Sequence, residues 1–177
     1  MDKCTRLAEI LDGLHLDLEA GGYRPKIGEQ LDQLGDVRDC ITDGLRRSAD
    51  ESDWQRFYLY VLAASHQSDR SMTPILCDVL DQWREIAHQP DGINNIDDIV
   101  WVLDGLRDPA AVGCLERAIG NEPDWDEYHH FARQCIWALT KIGTPEASDA
   151  LQRVAQGKIP EIRQEALDAL NPSTDRP

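Results

Sequence analysis

The sequence predicts an all-α protein, a short α-solenoid of helical hairpins with an N-terminal helical cap. Three observations carry this reading. Apolar residues recur at three- and four-residue steps through most of the chain, the period of a helix with one buried face. No β-branched alternating run competes with them. The C-terminal half also repeats itself: a shift of 36 residues lays Pro145 on Pro109, Ala147 on Ala111, Leu151 on Leu115, Leu139 on Leu103, Trp137 on Trp101 and Ile136 on Val100. Repeats of this length are stacked helix-hairpin units.

Taken in order, Leu7, Ile10, Leu11, Leu14 and Leu18 form a helical stripe over 3–20, closed by a Gly- and Pro-containing break at 21–25. A second helix is expected over 27–47, through Ile27, Leu31, Leu34, Val37, Ile41 and Leu45. The polar link 48–53 supplies Ser52 or Asp53 as cap for a helix over 53–66, with Phe57, Tyr60, Val61 and Ala64 inward. A further helix over 72–88 holds Met72, Ile75, Leu76, Val79, Leu80, Trp83 and Ile86, and ends at the turn-forming run 88–92. A shift of 39 lays Leu76 on Leu115 and Val61 on Val100, which makes this pair a degenerate repeat. The chain is therefore read as one solenoid domain, 1–177. It divides into an N-terminal helical pair (1–52), a degenerate repeat (53–90), repeats at 93–121 and 126–157, a capping helix (159–171) and a tail (172–177).

The stretch 131–170 is the most explicit. Phe131, Cys135, Ala138, Leu139 and Ile142 lie on one helical face, and Gly143 ends that helix as a left-handed cap. Thr144 is placed to cap the next helix, with Pro145 in its first turn, where the missing N–H is harmless. Lys158, Ile159 and Pro160 break it, and Ile162, Arg163, Ala166, Ala169 and Leu170 echo the first helix. Ala138-Leu139, Ile142-Gly143, Pro145-Glu146-Ala147, Leu151 and Ile162-Arg163 resemble the HEAT-like repeats of phycobilin-lyase-type proteins. That resemblance implies an architecture more than an activity. One enzyme branch of that group holds two irons through His-Glu dipeptides. Here His15, His66, His88, His129 and His130 are followed by Leu, Gln, Gln, His and Phe, so the resemblance does not extend to that branch.

Eighteen Lys and Arg stand against 33 Asp and Glu, a formal charge of −15. Such a body repels phosphate backbones and anionic lipid, so the expectation is no nucleic acid, no membrane and a basic protein as partner. No signal pattern is read at the N-terminus, and no apolar run approaches a membrane span. Cys4, Cys40, Cys77, Cys114 and Cys135 form no C-x-x-C pair. Cys77, Cys114 and Cys135 read as small buried side chains, and a reduced, cytoplasmic setting follows.

The charge is concentrated. Residues 91–130 carry ten acids and two bases, whereas 131–177 balance at six against six. Within that block the partner-binding candidates are Asp97, Asp98, Glu122, Asp124, Trp125, Asp126, Glu127 and Tyr128. Aromatic side chains among carboxylates suit an Arg- or Lys-rich partner, through large contact area and cation–π attraction. Two plainer roles compete: Asp97, Asp98, Asp124, Asp126 and Glu127 suit helix N-termini, and Trp125 suits the groove between repeats. Trp101 and Trp137 are expected to stack between neighbouring repeats. His129 and His130 diverge on a helix and make no metal site, and no catalytic motif or cofactor motif is present. The resulting expectation is a non-enzymatic, acidic binding module. It is similar to bacterial immunity proteins that neutralise a toxin or nuclease domain. The alternatives are a general scaffold or adaptor and, more remotely, a chromophore-lyase-like enzyme.

Overall fold

The computed structural model describes residues 2–19, 27–89, 92–93, 95–121, 123–124 and 126–171, with the backbone alone over 15–19. The expected break at 21–25, the turn residues Pro90 and Asp91, the candidates Glu122 and Trp125, and the tail from Pro172 lie outside the described residues.

Among the described residues every regular element is helical. The α-helices are α1 (Lys3–Glu19), α2 (Ile27–Leu34), α3 (Arg38–Asp50), α4 (Trp54–Ala64), α5 (Thr73–Asp81), α6 (Trp83–Ala87), α7 (Asp97–Leu106), α8 (Val112–Ile119), α9 (His130–Ile142), α10 (Pro145–Val154) and α11 (Pro160–Leu170). They form two layers. Helices α2, α4, α7, α9 and α11 lie side by side in one, and α1, α3, α5, α8 and α10 in the other. Each helix buries one stripe against the facing layer, so the core is a single cluster between them. Leu7, Leu31, Leu45, Phe57, Leu76, Leu103, Leu115, Phe131 and Leu139 are all fully buried in it. This is a short helical solenoid, and α1 to α3 continue both layers.

Two expected helices are each divided in the structure. The helix read over 27–47 is α2 and α3, separated at Gly35, whose φ of 74° is available to glycine at little cost. Gln67, after α4, holds this break together. Its Oε1 accepts from Val37 N at 3.1 Å and its Nε2 donates to Gly35 O at 3.0 Å. The helix read over 72–88 is α5 and α6, parted at Gln82. The sequence kept its apolar stripe across both breaks, so periodicity alone ran the helices together.

The caps follow residue chemistry. Asp53 accepts from Arg56 N at 3.0 Å, and Thr144 Oγ1 accepts from Ala147 N at 3.3 Å with Pro145 following. Asp108 does the same one repeat earlier, accepting from Ala110 N at 3.1 Å before Pro109 opens a 3-10 turn. Gly143 closes α9 in the left-handed region at φ 65°, its N–H donating to Leu139 O at 3.2 Å. The equivalent position closing α7 is Arg107, at φ 47° and donating to Leu103 O at 3.2 Å. A side chain with a Cβ is strained there.

Cysteine chemistry overturns one expectation. Cys4 is bonded to Cys40 and Cys77 to Cys114, with Cα–Cα distances of 5.2 and 5.4 Å, and Cys135 is free and buried. Cys77 and Cys114 are indeed buried, but they are not thiols. The argument for a reduced compartment, which rested on unpaired cysteines, does not survive this. The physical reason is positional: Cys4, Cys40, Cys77 and Cys114 recur at steps of 36, 37 and 37, so each occupies a neighbouring helix of the same layer. Ion pairs repeat the pattern. Arg117 donates to both Asp81 oxygens at 2.9 and 2.6 Å, and its counterpart one repeat on, Arg153, donates to Glu116 at 2.6 and 2.7 Å.

Arg107→Gly relieves the left-handed strain and raises stability by about 1 kcal/mol in urea unfolding. Mild reductant followed by alkylation and mass spectrometry labels Cys4 and Cys40 before Cys77 and Cys114, because Cys4 is exposed whereas Cys77 and Cys114 are buried. Complete reduction costs about 3–4 kcal/mol per bridge in the chain-entropy picture.

Candidate partner-binding surface

The layer containing α7 and α9 presents the most chemically distinctive surface. Both helices turn Ile, Val, Ala and Leu inward, including Ile99, Val100, Leu103, Ile136, Ala138 and Leu139. Trp101 and Trp137 sit away from those stripes and face solvent, at 64% and 52% exposure. The expectation that they stack between repeats is therefore corrected. They wall a shared cleft instead, lined also by Val100, Asp104, Gln134 and Lys141. Trp137 Nε1 donates to Glu165 Oε1 on α11 at 3.0 Å, which fixes one indole.

Polar groups around this cleft pair from repeat to repeat. Lys141 Nζ donates to Asp104 Oδ2 at 2.6 Å, and Arg133 Nε lies 3.8 Å from Glu165 Oε2. Several atoms lack a partner although they are buried. Asp97 Oδ1, Asp104 Oδ1 and Gln134 Oε1 accept no hydrogen bond, and Arg133 Nε donates none. Asp97, in the first turn of α7, is half-buried with Asp126 and Asp98 nearby. Desolvation first, and then repulsion from those carboxylates, pushes its pKa up. Asp98 accepts from Tyr58 OH on α4 at 2.8 Å.

The loop 121–130 leads into α9 and is anchored to α6. Trp83 Nε1 donates to Asn121 O at 3.1 Å, and Arg84 reaches both the Asn121 side chain and Asp124 Oδ1, the latter at 3.2 Å. Among the described candidates the loop divides into inward and outward residues. Asp126 is 6% exposed, and its Oδ2 accepts from Phe131 N at 2.7 Å, which satisfies an N–H in the first turn of α9. Asp124, Glu127 and Tyr128 are exposed, with Tyr128 at 69% and close to the His130 ring. His129 takes a left-handed conformation at φ 56°, turning the chain into the helix.

The acidic block is thus largely engaged within the protein. Asp104 and Glu116 are in inter-repeat ion pairs, Asp108 and Asp126 bind backbone N–H groups, and Asp124 reaches Arg84. Of the candidates, Asp97 and Asp98 are together at the start of α7, while Asp124, Glu127 and Tyr128 share the loop. The Trp101–Trp137 cleft was the feature that sequence reasoning passed over. A helical wheel holds its signal: Trp137 lies two residues after Cys135 and two before Leu139, about 160° around the helix from both. Among the described residues no group of three or more His, Cys, Asp or Glu is placed to hold a metal ion. No described helix is long and apolar enough to cross a membrane.

Asp97 makes a pH-dependent prediction. A carboxyl with a raised folded pKa keeps its proton longer in the folded state, so ionising it costs stability as pH climbs past the unfolded value of 3.8. Asp97→Asn is expected to stabilise the fold at pH 7 and to give no such gain near pH 3. Urea unfolding of both proteins across that range measures the difference.

A family model of HEAT repeats matches residues 80–171, which takes in α7 to α11 and the cleft between α7 and α9. No curated protein and no solved structure matches the chain. The matched segment is just over half of the sequence and coincides with the 36-residue repeat, the Gly143–Thr144–Pro145 turn and the paired layers. The chain belongs to the HEAT-repeat family.

Proposed function

We propose that this protein is a non-enzymatic binding module that captures a cationic protein, and in its most specific form a bacterial immunity protein neutralising a toxin domain. The observation that carries the reading is the loop 121–130, where Asp124, Glu127 and Tyr128 stand exposed together on a chain of formal charge −15. Arg84 and the Trp83–Asn121 hydrogen bond hold the start of this loop, so Asp124 is positioned before a partner arrives. A loop of this kind entering a basic cleft takes the place of substrate phosphates, and long-range attraction speeds the encounter. Residence in the cytoplasm belongs to this reading and sets a condition on it. The exposed Cys4 end of the first bridge would there meet cellular thiols.

A general scaffold or adaptor is the second reading. It is favoured by the HEAT-repeat match and by a largely apolar cleft of about 480 Å³ among α8, the end of α10 and the start of α11, where Ile119, Val154, Ile159 and Ile162 line it together with Glu116, Arg153 and Lys158. Salt separates the two. A cationic partner is released between low and about 0.5 M salt, whereas an apolar groove holds its partner.

The direct test is Asp124→Lys combined with Glu127→Lys, with the partner recovered from native extract at low salt. One stoichiometric basic protein is expected with the unaltered chain, and binding at least about tenfold weaker with the double variant. Recovery of the same protein in equal amount by both would remove the loop from the interface. Asp126 is left intact, because Asp126→Lys would strip the bond to Phe131 N and disturb α9 itself.

A further inference from the structure

We propose that the cleft between Trp101 and Trp137 receives an arginine side chain of the protein partner. The inference deepens the cationic-partner reading and rests on it, but it names a different surface from the loop and a specific residue chemistry.

Size comes first. The cleft measures about 80 Å³, which suits the end of one side chain and falls well short of a cofactor or metabolite pocket. Its walls come next. Two exposed indoles stand one repeat apart on adjacent helices, with the buried Val100 between them. Flat aromatic faces attract flat cations through the ring quadrupole, and tryptophan does so best. Trp137 is also held by Glu165, so one wall is set before binding.

Unpaired acceptors select the occupant. Asp104 Oδ1 and Gln134 Oε1 belong to lining residues, and both are buried without a donor. Among the described residues the buried Arg133 Nε also lacks a hydrogen-bond partner, but it does not line the cleft and lies 3.8 Å from Glu165 Oε2. The cleft therefore has a surplus of acceptors and needs a group that donates. Lys141 does not fill that need, because its ammonium is engaged with the other oxygen of Asp104. An aliphatic side chain would cover the indoles but leave the acceptors unmet. An anion would meet carboxylates and a strongly negative protein. A lysine brings charge but no planar face, and its ammonium is strongly hydrated. A guanidinium satisfies all of these requirements, with a stacking face for the indoles and several N–H donors in one plane.

The experiment titrates the full, oxidised chain with hexa-arginine and hexa-lysine peptides of equal charge. Indole N–H resonances and calorimetry provide the readouts. Hexa-arginine is expected to shift the Trp101 and Trp137 signals and to bind about fivefold more tightly than hexa-lysine. Trp101→Ala and Trp137→Ala should each abolish that preference while leaving the melting temperature in place, since both side chains are more than half exposed. Equal affinity for the two peptides would overturn the arginine site while leaving the cationic-partner reading intact. Binding of neither peptide would overturn both. A preference that persists in the Trp101→Ala Trp137→Ala double variant would place arginine recognition elsewhere and remove this cleft from it. A concentration-dependent dimer broken by Trp137→Ala would assign the face to a second copy and overturn the proposal.

Discussion

The apolar stripe of α9 is the feature on which the C-terminal half of the molecule depends. Phe131, Cys135, Ile136, Ala138 and Leu139 are fully buried, and the helix touches α7, α8, α10 and α11. In a solenoid each repeat meets only its neighbours, so stability is a sum of local interfaces. A helix that joins four such interfaces cannot be loosened without releasing both sides. Even its thiol is committed to this packing: burial drives the Cys135 pKa up and keeps the sulfur an uncharged space-filling group. The opposite face of the same helix carries Arg133, Trp137 and Lys141. One element thus sets the core and displays the residues that meet solvent, which gives the surface side chains a rigid base.

Net charge and available charge are different quantities in this protein. The ion pairs Asp81–Arg117, Glu116–Arg153 and Asp104–Lys141 each cross from one repeat to the next, and all involve partly solvated groups. Such pairs contribute little individually. Their value here is registry, since each fixes which side chain of one hairpin faces which side chain of the following one. The carboxylates left outside such pairs are a subset of the 33 acids. Among the described candidates Glu127 is one of them, exposed on the loop 121–130 beside the exposed Tyr128.

The architecture was legible because three independent signals agreed over 131–170: the apolar period, the Gly143 cap and the Thr144–Pro145 start. Where only one signal operated, detail was lost. The stripe through Leu34, Val37 and Ile41 continues across Gly35, so periodicity joined α2 to α3, although a glycine with positive φ separates them. The bridges are invisible at the short spacing of a C-x-x-C pair, because the informative interval is the repeat itself. Repeat position alone does not separate a stacked Trp101 and Trp137 from an exposed pair. Angular distance from the core stripe, available in the same residues, points both outward. The turn of Asp126 inward and Glu127 outward was not legible at all, since it depends on how the loop meets Phe131 N.

The two bridges also bear on how the molecule responds to force. Cys77 and Cys114 close a loop spanning 37 positions, and Cys4 and Cys40 close another spanning 36. Chain inside a closed loop cannot lengthen when the ends are pulled, so each bridge withholds on the order of 120 Å of contour length. Helices α9 to α11 carry no such restraint. A pull on the two ends of the oxidised chain peels these helices away while the loops behind both bridges keep their length in reserve. Cleaving the sulfur–sulfur bonds makes that reserve available, so the same polypeptide is a short tether when oxidised and a longer one when reduced.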